Sequence, residues 1–283
     1  MPHPSTVFDS EWLSIREAAD HSARSASLTA RLSDWLVDRD AANLRLCDLG
    51  CGSGSNVRYL APRLPARQRW CLVDHDAGLL ALAAERCRDL PGVSSVETLE
   101  GDLVGSLDTL IPEGAVLITA SALLDLVSEQ WLSRCVSLAA RRGAACLITL
   151  SYSGDVSLSP ALAEDDAVIQ AVNAHQRQDK GGGPALGPDA WSVCASLFRE
   201  AGFSVFHEPS VWSLDASQAA LQDNLLTGWA RAAGEWLPDS APSVSAWLDQ
   251  RLQRVRRGES RIRVGHQDLL ALPPGSGTVG SDA

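Results

Sequence analysis

The sequence predicts a doubly wound α/β fold, in which helices join the parallel strands of one sheet. Short apolar segments alternate with helical segments between residues 44 and 150. The first apolar segment, Leu44 to Leu49, runs directly into a turn with glycines at positions 50, 52 and 54. A strand, a glycine turn and a helix in this order form the first βα unit of such a fold. Continued alternation implies right-handed helical crossovers between parallel strands.

Apolar periodicity between turn signals predicts each element. Residues 8–39 are expected to be helical. Further helices are predicted at 56–64, 77–87 and 128–141, and strands at 69–74, 95–101, 115–120 and 144–150. A helical segment at 160–176, a helix at 188–201 and a strand from 203 to about 212 follow. Two helices, at 216–236 and 243–257, precede a last strand from 260 to about 270.

Composition narrows the range of partners. The chain has 283 residues and carries 35 acidic and 24 basic side chains, a net charge of −11. Such a charge argues against binding a nucleic-acid backbone over a broad surface. The six late arginines are expected to form the solvated face of a helix and of the strand after it; they are Arg251, Arg254, Arg256, Arg257, Arg261 and Arg263.

Cysteine usage and hydropathy address compartment and metal binding. Seven cysteines occur without a Cys-x-x-Cys pair, so reduced thiols and no metal site are expected. The amino terminus is polar, and the longest apolar runs are far below membrane-spanning length. We therefore expect a cytoplasmic protein that does not associate with a membrane.

The glycine turn predicts a ligand that lies on bare backbone. Glycine has no Cβ, so these positions adopt positive φ and let a ligand approach the main chain. The helix that opens at Ser55 directs its free N–H groups toward that ligand. The dinucleotide-binding fingerprint has glycine or alanine three residues after its second glycine, where this chain has Ser55.

The pattern Asp48-x-Gly50-x-Gly52-x-Gly54 instead resembles the first motif of the class I S-adenosylmethionine-dependent methyltransferases. Two later positions strengthen this resemblance, which covers roughly residues 40–155. Asp74 ends the second predicted strand, where an acid accepts hydrogen bonds from ribose hydroxyls. Asp102 follows the third strand, where the family has an acid that faces the adenine amino group, and the next residue packs on the ring.

The resemblance implies a seven-stranded, mostly parallel sheet with an antiparallel last strand, a helical cover, and S-adenosyl-L-methionine as cofactor. The expected cofactor-binding residues are Asp48, Gly50, Cys51, Gly52, Gly54, Asp74, His75, Asp102, Leu103, Thr119 and Arg24. Arg24 or Arg16, on the leading helices, is expected to hold the methionine carboxylate of the cofactor or an acidic substrate, because a guanidinium binds a carboxylate through two hydrogen bonds.

The loop after the fourth strand, residues 119–126, lies beside the transferred methyl group in similar proteins. It lacks the Asn/Asp-Pro-Pro-Tyr/Phe signature of enzymes that methylate DNA or glutamine amino groups, which favours a small-molecule acceptor. Ser121 is expected to contact a ligand; Asp125 is expected either to do so or to cap the helix near Ser128. His175, in a predicted lid, is a candidate general base.

The predicted organisation is a helical cover at 1–42, a core at 43–214 that includes the lid at 151–187, a helical insertion at 215–257, a last core strand at 258–272 and a flexible tail at 273–283. The leading functional hypothesis is methyl transfer to an oxygen, nitrogen or sulfur atom of a small molecule. Two alternatives stay open: a cofactor-binding regulatory or partner protein without turnover, and an NAD(P)-dependent oxidoreductase.

Overall fold

The computed structural model describes residues 10–37, 39, 44–179 and 181–275. The ends of the predicted cover and tail, at 1–9, 40–42 and 276–283, lie outside the described residues. The helices are α1 (Ser10–Ala23), α2 (Ala26–Val37), α3 (Ser55–Leu60), α4 (Ala77–Cys87), α5 (Leu103–Leu110), α6 (Glu129–Arg142), α7 (Asp165–Gln176), α8 (Ala190–Glu200), α9 (Ala219–Trp236) and α10 (Ala241–Arg256). The strands are β1 (Leu44–Leu49), β2 (Gln68–Asp74), β3 (Val93–Glu100), β4 (Leu117–Ser121), β5 (Ala145–Ser159), β6 (Ser204–Pro209), β7 (Trp212–Leu214) and β8 (Arg261–Leu272).

The described strands form one sheet in the order β3-β2-β1-β4-β5-β8-β6, and the short strand β7 also pairs with β8. Strands β1 to β5 pair in parallel, whereas β8 is antiparallel to β5, β6 and β7. The sheet order reverses at β1 and β4, so a crevice opens beyond their carboxyl ends. This architecture confirms the predicted fold class, with β7 as an addition to the seven-stranded path.

Alternating strand residues build a hydrophobic core on each face of the sheet. In β1, Leu46 packs in the core beneath α2, α3 and α4, whereas Cys47 packs in the core beneath α5, α6 and α8. Successive side chains of a strand point to opposite faces, so a strand covered on both faces is apolar throughout. This double burial explains why apolar residues on both faces of the sheet occupy four of the six positions of β1.

A third core lies outside the α/β layers and joins α1, α7, α9 and α10 to the far ends of β5 and β8. We call these four helices the helical cap. Strand β5 runs nine residues past its predicted end at Leu150, because it continues to pair with β8 as far as Ser159 and Arg261. Tryptophans from three parts of the chain, Trp212, Trp229 and Trp247, are buried in this third core.

Some sequence expectations change in the structure. The predicted strand from 203 to 212 is divided at Ser210, whose backbone N–H donates to the carbonyl oxygen of His266. The expectation that Arg251 lies on a solvated face is wrong, because its side chain is fully buried against Asp165 under the cap. The division of the chain into cover, core, insertion and tail stays a prediction. No helix among the described residues combines the length and the apolarity needed to cross a membrane.

Candidate active site

The first cavity lies beyond the carboxyl ends of β1, β2 and β4 and has a volume of about 320 Å³. The glycine turn forms its floor, and the first residues of α5 and the inner face of α1 form its walls. Nine of the sequence-predicted site residues line it: Arg24, Gly50, Cys51, Gly52, Asp74, His75, Asp102, Leu103 and Ser121. The fold therefore brings together residues that are far apart in the sequence.

The glycine turn holds its shape through positive φ angles. Gly50 has φ +63° and Gly52 has φ +51°, backbone angles that residues with a side chain rarely adopt. A Cβ on Gly52 would lie 3.1 Å from Leu13 Cδ1 of α1, and one on Gly50 would lie 3.3 Å from Leu123 Cδ1. The turn therefore exposes backbone to the cavity, and a side chain at Gly50 or Gly52 would crowd a neighbouring leucine.

The two predicted acids lie at the ends of their strands, as expected. The Asp74 carboxylate accepts hydrogen bonds from the backbone N–H groups of Gly52, at 2.8 Å, and Asp76, at 3.1 Å. Asp102 caps α5 by accepting from the N–H of Val104 at 2.9 Å. Each carboxylate has lone pairs beyond those used in these bonds, so both can accept from a ligand.

A buried arginine lies beside the glycine turn. Arg24 donates to Asn56 Oδ1 at 2.8 Å, packs over the Tyr59 ring and lies 3.5 Å from the Asp268 carboxylate. Burial lowers the pKa of Arg24, and the nearby Asp268 carboxylate partly offsets this effect. Its Nη2 atom is buried without a hydrogen-bond partner, and the side chain lines the first cavity. A buried donor of this kind favours an anionic ligand group.

Three predicted cofactor residues lie behind the cavity wall. Asp48 and Thr119 are fully buried, and both accept hydrogen bonds from the Asn56 amide, at 2.7 and 3.1 Å. Gly54 packs against α4, where a Cβ would come within 2.7 Å of Cys87 Sγ. In the structure these residues support the turn from below.

Burial raises the pKa of Asp48 to about 7, and the hydrogen bond from Asn56 and the charge of Arg24 oppose this rise. One carboxylate oxygen of Asp48, Oδ2, has no hydrogen-bond partner. Asp48, the first residue of the motif, is therefore part of a buried polar network that links the glycine turn to Arg24, which lies between α1 and α2.

A second cavity, of about 690 Å³, adjoins the first. The two cavities share Arg16, Ala122 and Leu126 in their walls. Side chains of the cap helices α1, α7 and α9, of strands β5, β7 and β8 and of the loop after β4 line the rest. Ala122, at the end of β4, has φ +52°, and Leu150, in the irregular part of β5, has φ +54°. Strained non-glycine residues of this kind cluster at functional sites.

The remaining two candidate catalytic residues line the second cavity. His175 pairs with Glu235 of α9 through a contact of 2.9 Å between Nε2 and Oε2. Asp125 is half-buried, and its charge adds to burial in raising the pKa of Tyr152. Capping of α6 falls to Ser128, whose hydroxyl accepts from the N–H of Trp131. Ser128 is therefore the N-cap residue of α6.

Sequence reasoning missed most of the second cavity. Tyr152, Gln176, Trp212 and His266 all line it, yet they come from four elements and follow no motif. Only the positions of strained or polar residues in apolar surroundings could have indicated them. Among the described residues, no group of three or more His, Cys, Asp or Glu side chains is placed to hold a metal ion.

A comparison with protein families agrees with this geometry. Residues 46–143 match a family described as methyltransferase domain. This match confirms the predicted methyltransferase, which is similar to the class I S-adenosylmethionine-dependent family. The matched segment of this methyltransferase begins in β1, ends after α6 and includes the glycine turn, Asp74 and Asp102.

Solved structures with similar folds have low sequence identity to this methyltransferase. A SAM-dependent methyltransferase from Thiobacillus denitrificans, in complex with S-adenosyl-L-homocysteine, is 17% identical over 94% of this chain and 99% of its own, with a TM-score of 0.47. A SAM-dependent methyltransferase from Geobacter sulfurreducens, in the same complex, is 17% identical over 94% of this chain and 100% of its own, with a TM-score of 0.45.

Geranyl diphosphate C-methyltransferase from Streptomyces coelicolor A3(2) is 14% identical over 87% of this chain and 80% of its own, with a TM-score of 0.45. No curated protein matches this methyltransferase in sequence.

The first cavity has the chemistry that S-adenosylmethionine requires. This cofactor carries a ribose diol, an adenine ring and a carboxylate, and the cavity offers the acids Asp74 and Asp102, the apolar side chain of Leu103 and the buried cation of Arg24. The bare backbone of the glycine turn gives the close approach that its linker needs. The residues of the cavity therefore fit the cofactor of the family.

Proposed function

We propose that this methyltransferase transfers a methyl group from S-adenosylmethionine to a small-molecule acceptor held in the second cavity. The supporting observation is the junction of the two cavities at Arg16, Ala122 and Leu126. The second cavity has a volume in the range typical of small-molecule sites, roughly 300–1,000 Å³. An acceptor there would lie next to the cofactor, on the side of the β4 loop.

Within the first cavity each side chain has a proposed role. Asp74 would accept from the ribose hydroxyls, Asp102 from the adenine amino group, and Leu103 and His75 would border the ring. Arg24 would bind the methionine carboxylate through its unpartnered Nη2 atom. The backbone of Gly50, Cys51 and Gly52 would carry the linker between nucleoside and amino acid.

The bound cofactor supplies a methyl carbon that is already activated by a positively charged sulfur. The protein then mainly has to align the acceptor with that carbon and exclude water, because positioning alone contributes several kcal/mol to such reactions. Ser121, which lines the first cavity at the end of β4, and Ala122, which lines both cavities, would contribute to this alignment. Asp125 and His175 are the candidates for taking a proton from the acceptor.

Calorimetric titration with S-adenosylhomocysteine and, separately, with NADH tests the proposal. We expect S-adenosylhomocysteine to bind the wild-type protein, and we expect no binding of NADH. Replacement of Asp74 by alanine removes a charged hydrogen-bond acceptor, and two such bonds together contribute about 3 kcal/mol or more, so affinity should fall at least about 100-fold.

The matched control is Asp89→Ala, which removes an exposed aspartate after α4, away from the first cavity. This variant should bind S-adenosylhomocysteine like the wild type. Circular dichroism should show that both variants are folded. Absence of S-adenosylhomocysteine binding to the wild type contradicts the proposal, and a preference for NADH would in addition favour an oxidoreductase.

A further inference from the structure

A buried carboxylate on β8 connects three separate segments of the chain. Asp268 is 1% exposed and lines neither cavity. Its Oδ2 atom accepts a hydrogen bond from the backbone N–H of Ser25, between α1 and α2, at 2.9 Å. Its Oδ1 atom accepts from the backbone N–H of Leu150, in β5, at 2.8 Å. Backbone groups of two other segments therefore fix both oxygens of this carboxylate.

The bond from Leu150 lies at a bulge in β5. Residues 149 and 150 together lie opposite Asp268, because the pairing of β5 with β8 shifts by one residue there. Such a bulge leaves a backbone N–H outside the regular ladder, and the carboxylate accepts from it. The neighbouring carbonyl oxygen, that of Thr149, accepts from the N–H of Ala122, which lines both cavities, at 2.9 Å. The position of Asp268 is thus tied to the backbone where the two cavities join.

The same carboxylate lies beside the guanidinium of Arg24 in the wall of the first cavity. Arg24 Nη1 donates to Asn56 Oδ1 at 2.8 Å, and Arg24 Nε lies 3.5 Å from Asp268 Oδ2. At that distance the two charges attract each other without a strong hydrogen bond. Nε and Nη2 are both buried without a hydrogen-bond partner. Asn56 and Asp268 therefore hold two sides of the guanidinium, and Nη2 stays available to a ligand.

The ion pair under the cap shows what a closer approach would do. Arg251 donates through Nε and Nη2 to both oxygens of Asp165, so these two nitrogens have no capacity left for a ligand. Asp268 is prevented from pairing with Arg24 in this way, because its oxygens are already engaged by backbone N–H groups. It attracts the arginine and leaves Nη2 open.

A second carboxylate acts on Arg24 from behind the cavity wall. Burial lowers the pKa of Arg24, and among the carboxylates that oppose this effect Asp268 contributes most, ahead of Asp48. The Asn56 amide bridges Arg24 to Asp48, whose Oδ2 atom has no hydrogen-bond partner. Without the charge of Asp268, the attraction of Asp48 would draw the guanidinium away from the cavity. The direction of Arg24 thus depends on Asp268.

We propose that Asp268 is a positioning residue for S-adenosylmethionine, which directs Nη2 of Arg24 toward the methionine carboxylate. This inference rests on the proposed function and adds to its cofactor site a residue that lies outside both cavities. Asp268 acts in two ways: it holds the guanidinium against the attraction of Asp48, and it fixes the backbone of Ser25, the next residue after Arg24.

Two ligands separate an effect on Arg24 from a general effect on the site. 5′-Methylthioadenosine has the adenosine and the thioether of S-adenosylhomocysteine but lacks the amino-acid end with its carboxylate. Both compounds are titrated calorimetrically into the full-length protein. We expect the wild type to bind S-adenosylhomocysteine at least about tenfold more tightly, because hydrogen bonds between a guanidinium and a carboxylate are among the strongest in proteins. The ratio of the two dissociation constants is called the carboxylate preference below.

Asp268→Asn keeps the side-chain shape and removes the charge. This variant should reduce the carboxylate preference at least about fivefold, while its affinity for 5′-methylthioadenosine changes less than about twofold. A purely structural role of Asp268 would instead weaken the binding of both compounds alike and leave the carboxylate preference unchanged.

Arg24→Met tests whether Asp268 acts through Arg24. In this background Asp268→Asn should change the carboxylate preference less than about twofold, because no guanidinium remains to be directed. If Asp268→Asn reduces the preference equally with and without Arg24, the inference is overturned.

Glu208→Gln is the matched control. Glu208 lies opposite Asp268 on the neighbouring strand β6 and accepts from the hydroxyls of Ser25 and Ser27, at 2.5 Å each. It holds the same connection between α1 and α2 but lines neither cavity, so the carboxylate preference should stay that of the wild type. An equal effect of the two substitutions would mean that this connection, and not the direction of Arg24, sets the preference.

If Asp268→Asn does not fold, Asp268→Glu replaces it. Glutamate keeps the charge but moves the carboxylate by one methylene group, which should also reduce the carboxylate preference. An unchanged preference in the folded variant overturns the inference, and so does an increased one, which would mean that Asp268 only repels the ligand carboxylate. Equal binding of both compounds to the wild type overturns it as well.

In each of those cases S-adenosylhomocysteine would still bind the wild type, so the proposed methyltransferase activity would stand. Failure of S-adenosylhomocysteine to bind the wild type would instead overturn the proposed function.

Discussion

The two adjoining cavities are built in different ways. The floor of the first is backbone from one turn, held by positive φ angles at Gly50 and Gly52 and by the Asp74 carboxylate. The second is enclosed mainly by side chains from α1, α7, α9, β5, β7 and β8. These elements meet because β5 and β8 continue to pair beyond the central strands and carry the cap. The first cavity thus depends on local chain geometry, and the second depends on long-range packing.

This difference separates binding of the cofactor from recognition of the acceptor. Contacts from the backbone of a turn depend little on which side chains the chain carries. The shape and polarity of a cavity lined by side chains, in contrast, change with each substitution. Functional variety on a shared fold generally comes from such additions to a constant scaffold. Variants that affect one cavity and spare the other test whether the two regions are independent.

The largest loss of stability is expected for substitution of Arg251, which is buried among the cap helices. Arg251 is fully buried and pairs with Asp165, which also accepts from Trp247 Nε1 at 2.7 Å. Arg251→Leu leaves a carboxylate buried without its cation, which costs about 3–5 kcal/mol. Urea denaturation should show this loss in the free energy of unfolding, while calorimetry should show unchanged S-adenosylhomocysteine binding to the folded protein.

Arg254→Leu is the matched control for that variant. Arg254 donates to the carbonyl oxygen of Pro160 at 2.6 Å, as Arg251 does at 2.9 Å, but it is only half-buried and has no carboxylate partner among the described ion pairs. Its loss should change stability by less than about 1 kcal/mol. Equal effects of the two substitutions would mean that burial of the ion pair is not what the cap depends on.

A smaller change in the free energy of unfolding should depend on pH, because of the titration of His266. Its pKa is about 3 in the folded protein and 6.5 in a model peptide, so below pH 6.5 the unfolded chain binds a proton that the folded protein does not. Stability is lost as the pH falls through this range, by about 2 kcal/mol at pH 5, since 1.5 units correspond to about 2 kcal/mol.

His266→Phe keeps a ring against Trp212 and removes the titrating group. Relative to the wild type, this variant should gain about 2 kcal/mol of stability between pH 8 and pH 5, measured by urea denaturation at each pH. The comparison cancels the titration of Asp48, which is present in both proteins. A stability difference that does not change with pH would show that His266 is not held neutral by its surroundings.

The smallest effect compares two glycines with positive φ. Gly52→Ala and Gly258→Ala each place a side chain in the left-handed region, at φ +51° and +70°, and each should cost about 1–2 kcal/mol of stability. Only at position 52 does the new Cβ also meet Leu13, at 3.1 Å, and face the first cavity. Gly52→Ala should therefore weaken S-adenosylhomocysteine binding, and Gly258→Ala should not.

Denaturation and calorimetry on both variants measure these two quantities separately. If Gly258→Ala weakens binding as much as Gly52→Ala, the bare backbone of the turn is not what holds the cofactor. If neither variant loses stability, the positive φ angles at these positions are not strained by a side chain.

Much of the lining of the first cavity could be predicted from the sequence, because its residues lie in short motifs at or just after the ends of individual strands. The motif from Asp48 to Gly54, the acid at Asp74 and the acid at Asp102 each end a strand, and parallel strands bring their carboxyl ends to one edge. Sequence reasoning did not separate the residues that line the cavity from those, such as Asp48 and Thr119, that support it from behind. That distinction depends on which side of the turn a side chain occupies.

The α/β class, the glycine turn and the acids at the strand ends could be predicted from the amino-acid sequence, because hydrophobic periodicity and glycine geometry act over a few residues. The burial of Arg251, the continuation of β5 to Ser159 and the meeting of Gln176 and His266 in one cavity emerge only from the folded chain. Those outcomes depend on interactions between segments far apart in the chain, such as the ion pair of Asp165 with Arg251, which are 86 residues apart. Local periodicity carries no information about such contacts, whose energies arise only when the cap closes over the extended strands.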